Sequence, residues 1–155
     1  MSSTLVLDAT PASQLAHPEA FAGVKQWLQD VLATGRRVVL PELADYEARR
    51  GFIHLRRKHP RSSKYRRRVQ RLDELVSSLY YAPITTAQMR RAAEVWGDAK
   101  SSGLTFGPPK ALSGDAILIA QAESFGDRRS VTVITANPGH LTPYVKAVEW
   151  EDFEP

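Results

Sequence analysis

Short apolar runs separated by longer stretches of helical periodicity constrain this chain more than any other feature. Residues 4–7, 37–40, 131–134 and 145–148 are rich in Val, Leu and Ile and are too short for buried helices. Residues 81–84 form a further short extended segment. Strands of this kind, alternating with helices, predict a parallel sheet covered on both faces.

The intervening helices are legible from spacing and punctuation. Pro18 is placed to open a first helix, with Phe21, Val24, Trp27, Leu28, Val31 and Leu32 at helical spacing and Gly35 beyond its end. Pro41 starts a second, over residues 42–54, with Leu43, Tyr46, Arg50 and Ile53 near one face. Residues 58–64 form a basic loop, and Val69, Leu72, Leu75, Val76 and Leu79 mark a third helix. Thr85 or Thr86 caps a fourth, expected to bury Met89, Ala92, Ala93 and Trp96. An irregular, glycine- and proline-containing connection is expected over 103–114. Asp115 then opens a helix so apolar over 116–120 that it must be covered on nearly all sides. The expected architecture is a three-layer α/β/α sandwich with a central parallel sheet of four or five strands, as a single domain spanning 1–155.

Such sheets place their sites beyond the carboxyl ends of the strands. Asp8 follows the first strand there, and Thr135 and Asn137 follow the fourth; Asp115 sits at a helix start, where the dipole favours a negative charge. The chain has no cysteine, so a metal would be held by oxygen or imidazole and not by thiolate. Net charge is only +4, but no acidic residue occurs between Ala48 and Leu72, where about half of the Lys and Arg residues fall. Arg66, Arg67 and Arg68 are its densest part, and a polyanion is the partner that such asymmetry favours. No apolar run nears the ~20 residues of a membrane span. The first residues lack the pattern of a signal peptide, so a cytoplasmic protein is expected.

Four segments in order resemble the motifs of PIN-domain nucleases. They are residues 5–10 with Asp8, residues 46–51 with Glu47 four positions before Gly51, residues 114–120 with Asp115, and residues 134–141 with Asn137. The VapC-like toxins of bacterial toxin–antitoxin pairs are the subgroup it is most similar to in length. The resemblance implies a metal-dependent endoribonuclease. It makes Asp8, Asp115 and Glu47 ligands of Mg2+ or Mn2+, with Asp8, Glu47, Asp115 and Asn137 as the catalytic set. Thr10 and Thr135 would support them by hydrogen bonds. RNA as substrate, a cognate antitoxin and a homodimer follow from the same resemblance. Hard cations take oxygen ligands, and carboxylates gathered at one rim stay ionised most easily around such a cation.

The chain departs from the family pattern at Thr10, where Asn or Ser is frequent, and at Asn137, near which a fourth acid is frequent. A PIN fold that binds RNA or protein without cutting is therefore the alternative. A flavodoxin-like protein with an acidic rim competes less well, since no glycine-rich phosphate loop is present. Glu42 rivals Glu47 but sits five residues earlier on the helix. His140 reads as a structural turn residue.

Overall fold

The computed structural model describes residues 3–103 and 111–155. Its five strands are β1 (Thr4–Leu7), β2 (Arg37–Pro41), β3 (Tyr80–Ala82), β4 (Val131–Ile134) and β5 (Ala147–Val148). They form one sheet in the order β3-β2-β1-β4-β5, and every neighbouring pair is parallel. The chain thus builds outward from β1 to β3, then crosses back and adds β4 and β5 on the other side. That reversal opens a crevice beyond the carboxyl ends of β1 and β4.

Helices α1 (Ala9–Leu15), α2 (Ala22–Ala33), α3 (Glu42–Lys58), α4 (Lys64–Ser78), α5 (Thr86–Ser101), α6 (Leu112–Glu123) and α7 (Pro138–Leu141) cover the sheet, and a 3-10 turn follows β5. Alternation along β1 splits the core between the layers. Val6 joins Val39, Val133 and the buried faces of α5 and α6. Leu5 and Leu7 join Val24, Trp27, Leu28 and Val31 of α2 on the opposite side. Leu40 meets Ala12 of α1, Ala44, Ala48 and Phe52 of α3, and Leu72 of α4. This is the expected three-layer α/β/α sandwich.

Helix α6 is covered as its composition demands: Leu112, Ala116, Leu118, Ile119, Ala120 and Ala122 are all buried. Gln121 is also fully buried, and it joins three elements. Its Oε1 accepts from Leu43 N at 3.2 Å, at the start of α3, and its Nε2 donates to Ala82 O at 2.9 Å, at the end of β3.

Several expectations change. Helix α1 is not among the expected helices; Asp8 caps it and accepts from Ala9 N at 2.7 Å. Pro18 does not open a helix. Helix α2 begins only at Ala22, after Phe21 in the left-handed region at φ 61°, and Phe21 and Leu32 lie exposed. Helix α3 runs a turn beyond residue 54, with Glu42 and Asp45 in its first turn and Arg56, Arg57 and Lys58 in its last, each set opposing the dipole. It buries Leu43, Ala44, Ala48 and Phe52, while Tyr46 is 57% exposed. Helix α5, closed by a Thr85–Gln88 capping box, buries Ala92, Val95 and Ala99; Met89, Ala93 and Trp96 face out. The last strand is shorter than residues 145–148. The irregular connection expected over 103–114 falls largely on residues outside the described ones, and from Leu112 it is already helix, so Asp115 lies one turn inside α6.

Candidate functional site

Strands β1 and β4 pair with Leu7 opposite Ile134, so the residues that follow them, Asp8 and Thr135, emerge side by side. Asp8 N donates to Ile134 O at 2.9 Å, fixing the backbone at the switch point. Asp8 Oδ2 accepts from Thr135 Oγ1 at 2.7 Å, and that hydroxyl oxygen accepts from Asn137 N at 3.1 Å. Thr135 is 2% exposed, so this relay from Asn137 through Thr135 to Asp8 is sheltered at its middle. Both Asp8 oxygens have a donor, which sets the carboxylate plane at the mouth of the crevice.

Two further acids converge from α3 and α6. Glu47 is half-buried, and burial followed by the nearby Asp8 charge pushes its carboxyl above the usual range; Arg50 Nη2, 3.9 Å away, acts in the other direction. Asp115 is pushed up to about 7 by burial first, then by the charges of Asp8 and Glu47. Its Oδ2 is buried with no hydrogen-bond partner among the described residues. His140 Nδ1 on α7 stands 3.9 Å from that oxygen. Gly114 is what lets α6 come so close to α3: a Cβ at that position would stand 2.5 Å from Glu47 Oε1.

A cavity of about 210 Å³ is lined by Asp8, Glu47, Asp115, Thr135, Asn137 and His140 among others. A larger one, about 380 Å³, lies between α2 and α4, but its only acid is Glu74, which is ion-paired to Arg71 at 2.9 Å. The smaller cavity is therefore where uncompensated carboxylates gather.

The structure brings together Asp8, Glu47, Asp115 and Asn137 from four separate segments, with Thr135 bonded to Asp8. Thr10 also lines the cavity. Glu42 is elsewhere, its carboxylate near Tyr81 Oη and Ile84 N, each at 3.4 Å. The three acids do not form a closed cage. Among the described residues, no three His, Asp or Glu side chains are arranged to hold a metal ion. The donor chemistry is nonetheless that of a hard cation, and the orphaned Asp115 oxygen is what such an ion would satisfy. Mg2+ commonly takes one or two protein carboxylates and keeps several waters.

Arg66, Arg67 and Arg68 do not share one open face. Arg67 is paired with Glu19 at 2.9 Å, and Arg68 lies over the rings of Tyr65 and Phe52 at 5.2 and 5.9 Å. Arg66 is exposed. His140, read from the sequence as a structural turn residue, lines the cavity beside Asp115, and Gly114 is a site feature that the sequence did not single out. Both sit within the matched motifs, and only their neighbours across the cavity reveal them.

No family model matches the chain, and neither does the sequence of any curated protein. Solved structures do match. A chain of FitAcB from Neisseria gonorrhoeae aligns at TM-score 0.71 and 20% identity, covering 96% of this chain and 99% of that one. A chain of DNA-bound VapBC from Salmonella typhimurium aligns at 0.68 and 16%, covering 97% and 99%. The fold is PIN-like. A chain of VapBC2 from Rickettsia felis, bound to a promoter DNA fragment, gives 0.66 and 15%, covering 95% and 98%. At these identities the likeness is one of fold, and the PIN-like frame places the acids of this chain at the sheet's switch point. Among the described residues, no helix is long and apolar enough to cross a membrane.

Proposed function

We propose that this chain is a Mg2+- or Mn2+-dependent endoribonuclease and the toxin of a toxin–antitoxin pair. The observation that carries the reading is Asp115: a carboxylate with a buried, unbonded oxygen, pushed up to about 7 beside two further acids. Such a group asks for a cation or a proton, and a hydrolase acting on a polyanion has use for the cation.

A bound divalent cation supplies a more acidic water and offsets charge on the phosphate. Asp8 and Asp115 would hold it. Asp8 is fixed by Ala9 N and Thr135 Oγ1, so it need not reorganise on binding. Glu47, held above the usual carboxylate range, is suited to take a proton from the attacking water. Asn137 is exposed, and its side chain makes no capping bond to α7, so its amide can orient the substrate. Exposed basic residues on α3 and α4, Arg66 among them, would position an RNA backbone without reading its sequence.

Partners belong to the same reading. The matched structures are of complexes, which supports an antitoxin. The exposed Met89 and Trp96, 46% and 42%, support a homodimer. The absence of a preformed three-ligand set among the described residues, together with a neutral Asn137, favours as second reading a PIN-like module that binds RNA or protein without cutting.

Cleavage of single-stranded RNA by the purified chain with Mn2+ or Mg2+ against EDTA, beside Asp115→Asn, separates the two. Metal-dependent cutting lost in the variant is expected. A folded wild type that binds the metal but cuts no RNA, structured targets included, would transfer the weight to the binding module.

A further inference from the structure

We infer that His140 supplies a nitrogen ligand to the cation of this site and tilts its preference from Mg2+ towards transition-metal dications. The inference rests on the metal reading above and deepens it.

The geometry is specific to this pair. Asp115 comes from α6 and His140 from the single turn of α7, and both line the same 210 Å³ cavity. His140 Nδ1 and Asp115 Oδ2 are 3.9 Å apart. That is too long for a hydrogen bond. Adjacent ligands of one octahedral ion, with bonds of roughly 2.0–2.2 Å, have donor atoms ~3 Å apart, so a shift of the part-exposed imidazole by ~1 Å brings the pair into ligating range. Among the described residues, Asp115 Oδ2 has no hydrogen-bond partner that would compete for it. The imidazole is about one-third exposed, so it can take an ion arriving through the mouth of the cavity.

The pair is not a site by itself: Asp8 would be the further protein ligand, although among the described residues no three such side chains stand preformed around an ion. Water and substrate oxygens would complete the shell, as they do in open catalytic sites. What His140 changes is the donor type. An all-oxygen set suits Mg2+, whereas imidazole favours the later first-row dications. The chain has a neutral amide at Asn137 and an imidazole three residues on, so the charge of the donor set falls while its softness rises.

The test uses the full-length chain with Mn2+ alone as probe, read by electron spin echo spectroscopy and by calorimetric competition with Mg2+. Expected is a 14N modulation on bound Mn2+ in the wild type, lost in both His140→Asp and His140→Gln. His140→Asp should still bind Mn2+, with its Mn2+ affinity reduced about tenfold or more and its preference for Mn2+ over Mg2+ diminished. Bound Mn2+ without nitrogen coupling in the wild type would overturn the inference and leave the metal site standing. So would coupling that persists in the variants, which would assign it to His17, His54 or His59. Absence of Mn2+ binding to the wild type would overturn both this inference and the metal-dependent reading.

Discussion

Burying a carboxylate without a donor costs the fold far more when that carboxylate is ionised than when it is protonated. Asp115 is in that position, pushed up to about 7 against an ordinary value of ~3.9. Between those values the folded chain keeps a proton that the unfolded chain has released. Stability without divalent cation should therefore fall as pH rises from about 4 to about 7. Asp115→Asn should flatten that slope and, at pH 8 in EDTA, melt on the order of a few degrees above wild type, while losing metal-dependent cleavage. Thermal melts at pH 5 and 8 check this, and a variant with an unchanged pH slope would show that another group carries it. Gly114 makes the complementary prediction. Gly114→Ala gains helix propensity, about 1 kcal/mol, but its Cβ displaces Glu47 Oε1. Stability should change by no more than about 1 kcal/mol, while cleavage falls up to about 10²-fold. Equal activity with an intact fold would remove Glu47 from the chemistry.

At the scale of elements, the site depends on where α6 sits relative to α3. Gln121 sets this with two buried bonds, one to the first turn of α3 and one to the end of β3. Gln121→Leu keeps the volume but leaves Leu43 N and Ala82 O without those partners, so a loss of about 1–3 kcal/mol is expected in denaturant unfolding. A neutral outcome would mean that the two backbone groups find other partners. Helix α4 behaves differently along its length. Arg68 packs over Phe52 and Tyr65, so Arg68→Ala should act mainly on stability.

About half of the Lys and Arg residues fall on α3, α4 and the turn between them, while Asp8, Glu47 and Asp115 gather at the crevice beyond β1 and β4. That separation suits a polyanion drawn to the surface and a cation held at the scissile bond. If Arg66 contacts a phosphate, Arg66→Ala should make the salt dependence of RNA binding shallower by roughly 0.7 in log–log slope. Arg67→Ala should do less, because Glu19 already pairs with it. Filter binding from low to moderate salt measures both. An unchanged slope in both variants would leave this stretch as a solvated face.

Short Val- and Leu-rich runs, the helical spacing between them and the polar residues at their carboxyl ends determined the sheet, its parallel sense and the membership of Asp8 and Asp115 in one rim, while Glu47 joined them only through the resemblance of residues 46–51 to a family motif. These were legible because they are local: strand burial on both faces leaves a continuous apolar run, and a capping or strand-end acid sits at a fixed offset from it. Helix α1, capped by Asp8 and burying Ala12 and Leu15, has only seven residues and so shows too little helical period to be read from the sequence. The exposure of Met89 and Trp96 was not legible, because periodicity marks an apolar face without saying whether another layer covers it. The choice of Glu47 over Glu42 rested on spacing to Gly51, and the structure sets Glu42 against Tyr81. Only the tertiary structure decided that Thr135 bonds Asp8, that Gly114 makes room for Glu47, that Asp115 keeps an unbonded oxygen, and that His140 faces it. Those relations join residues from different strands and helices, and no spacing along one segment encodes a distance across the sheet's switch point.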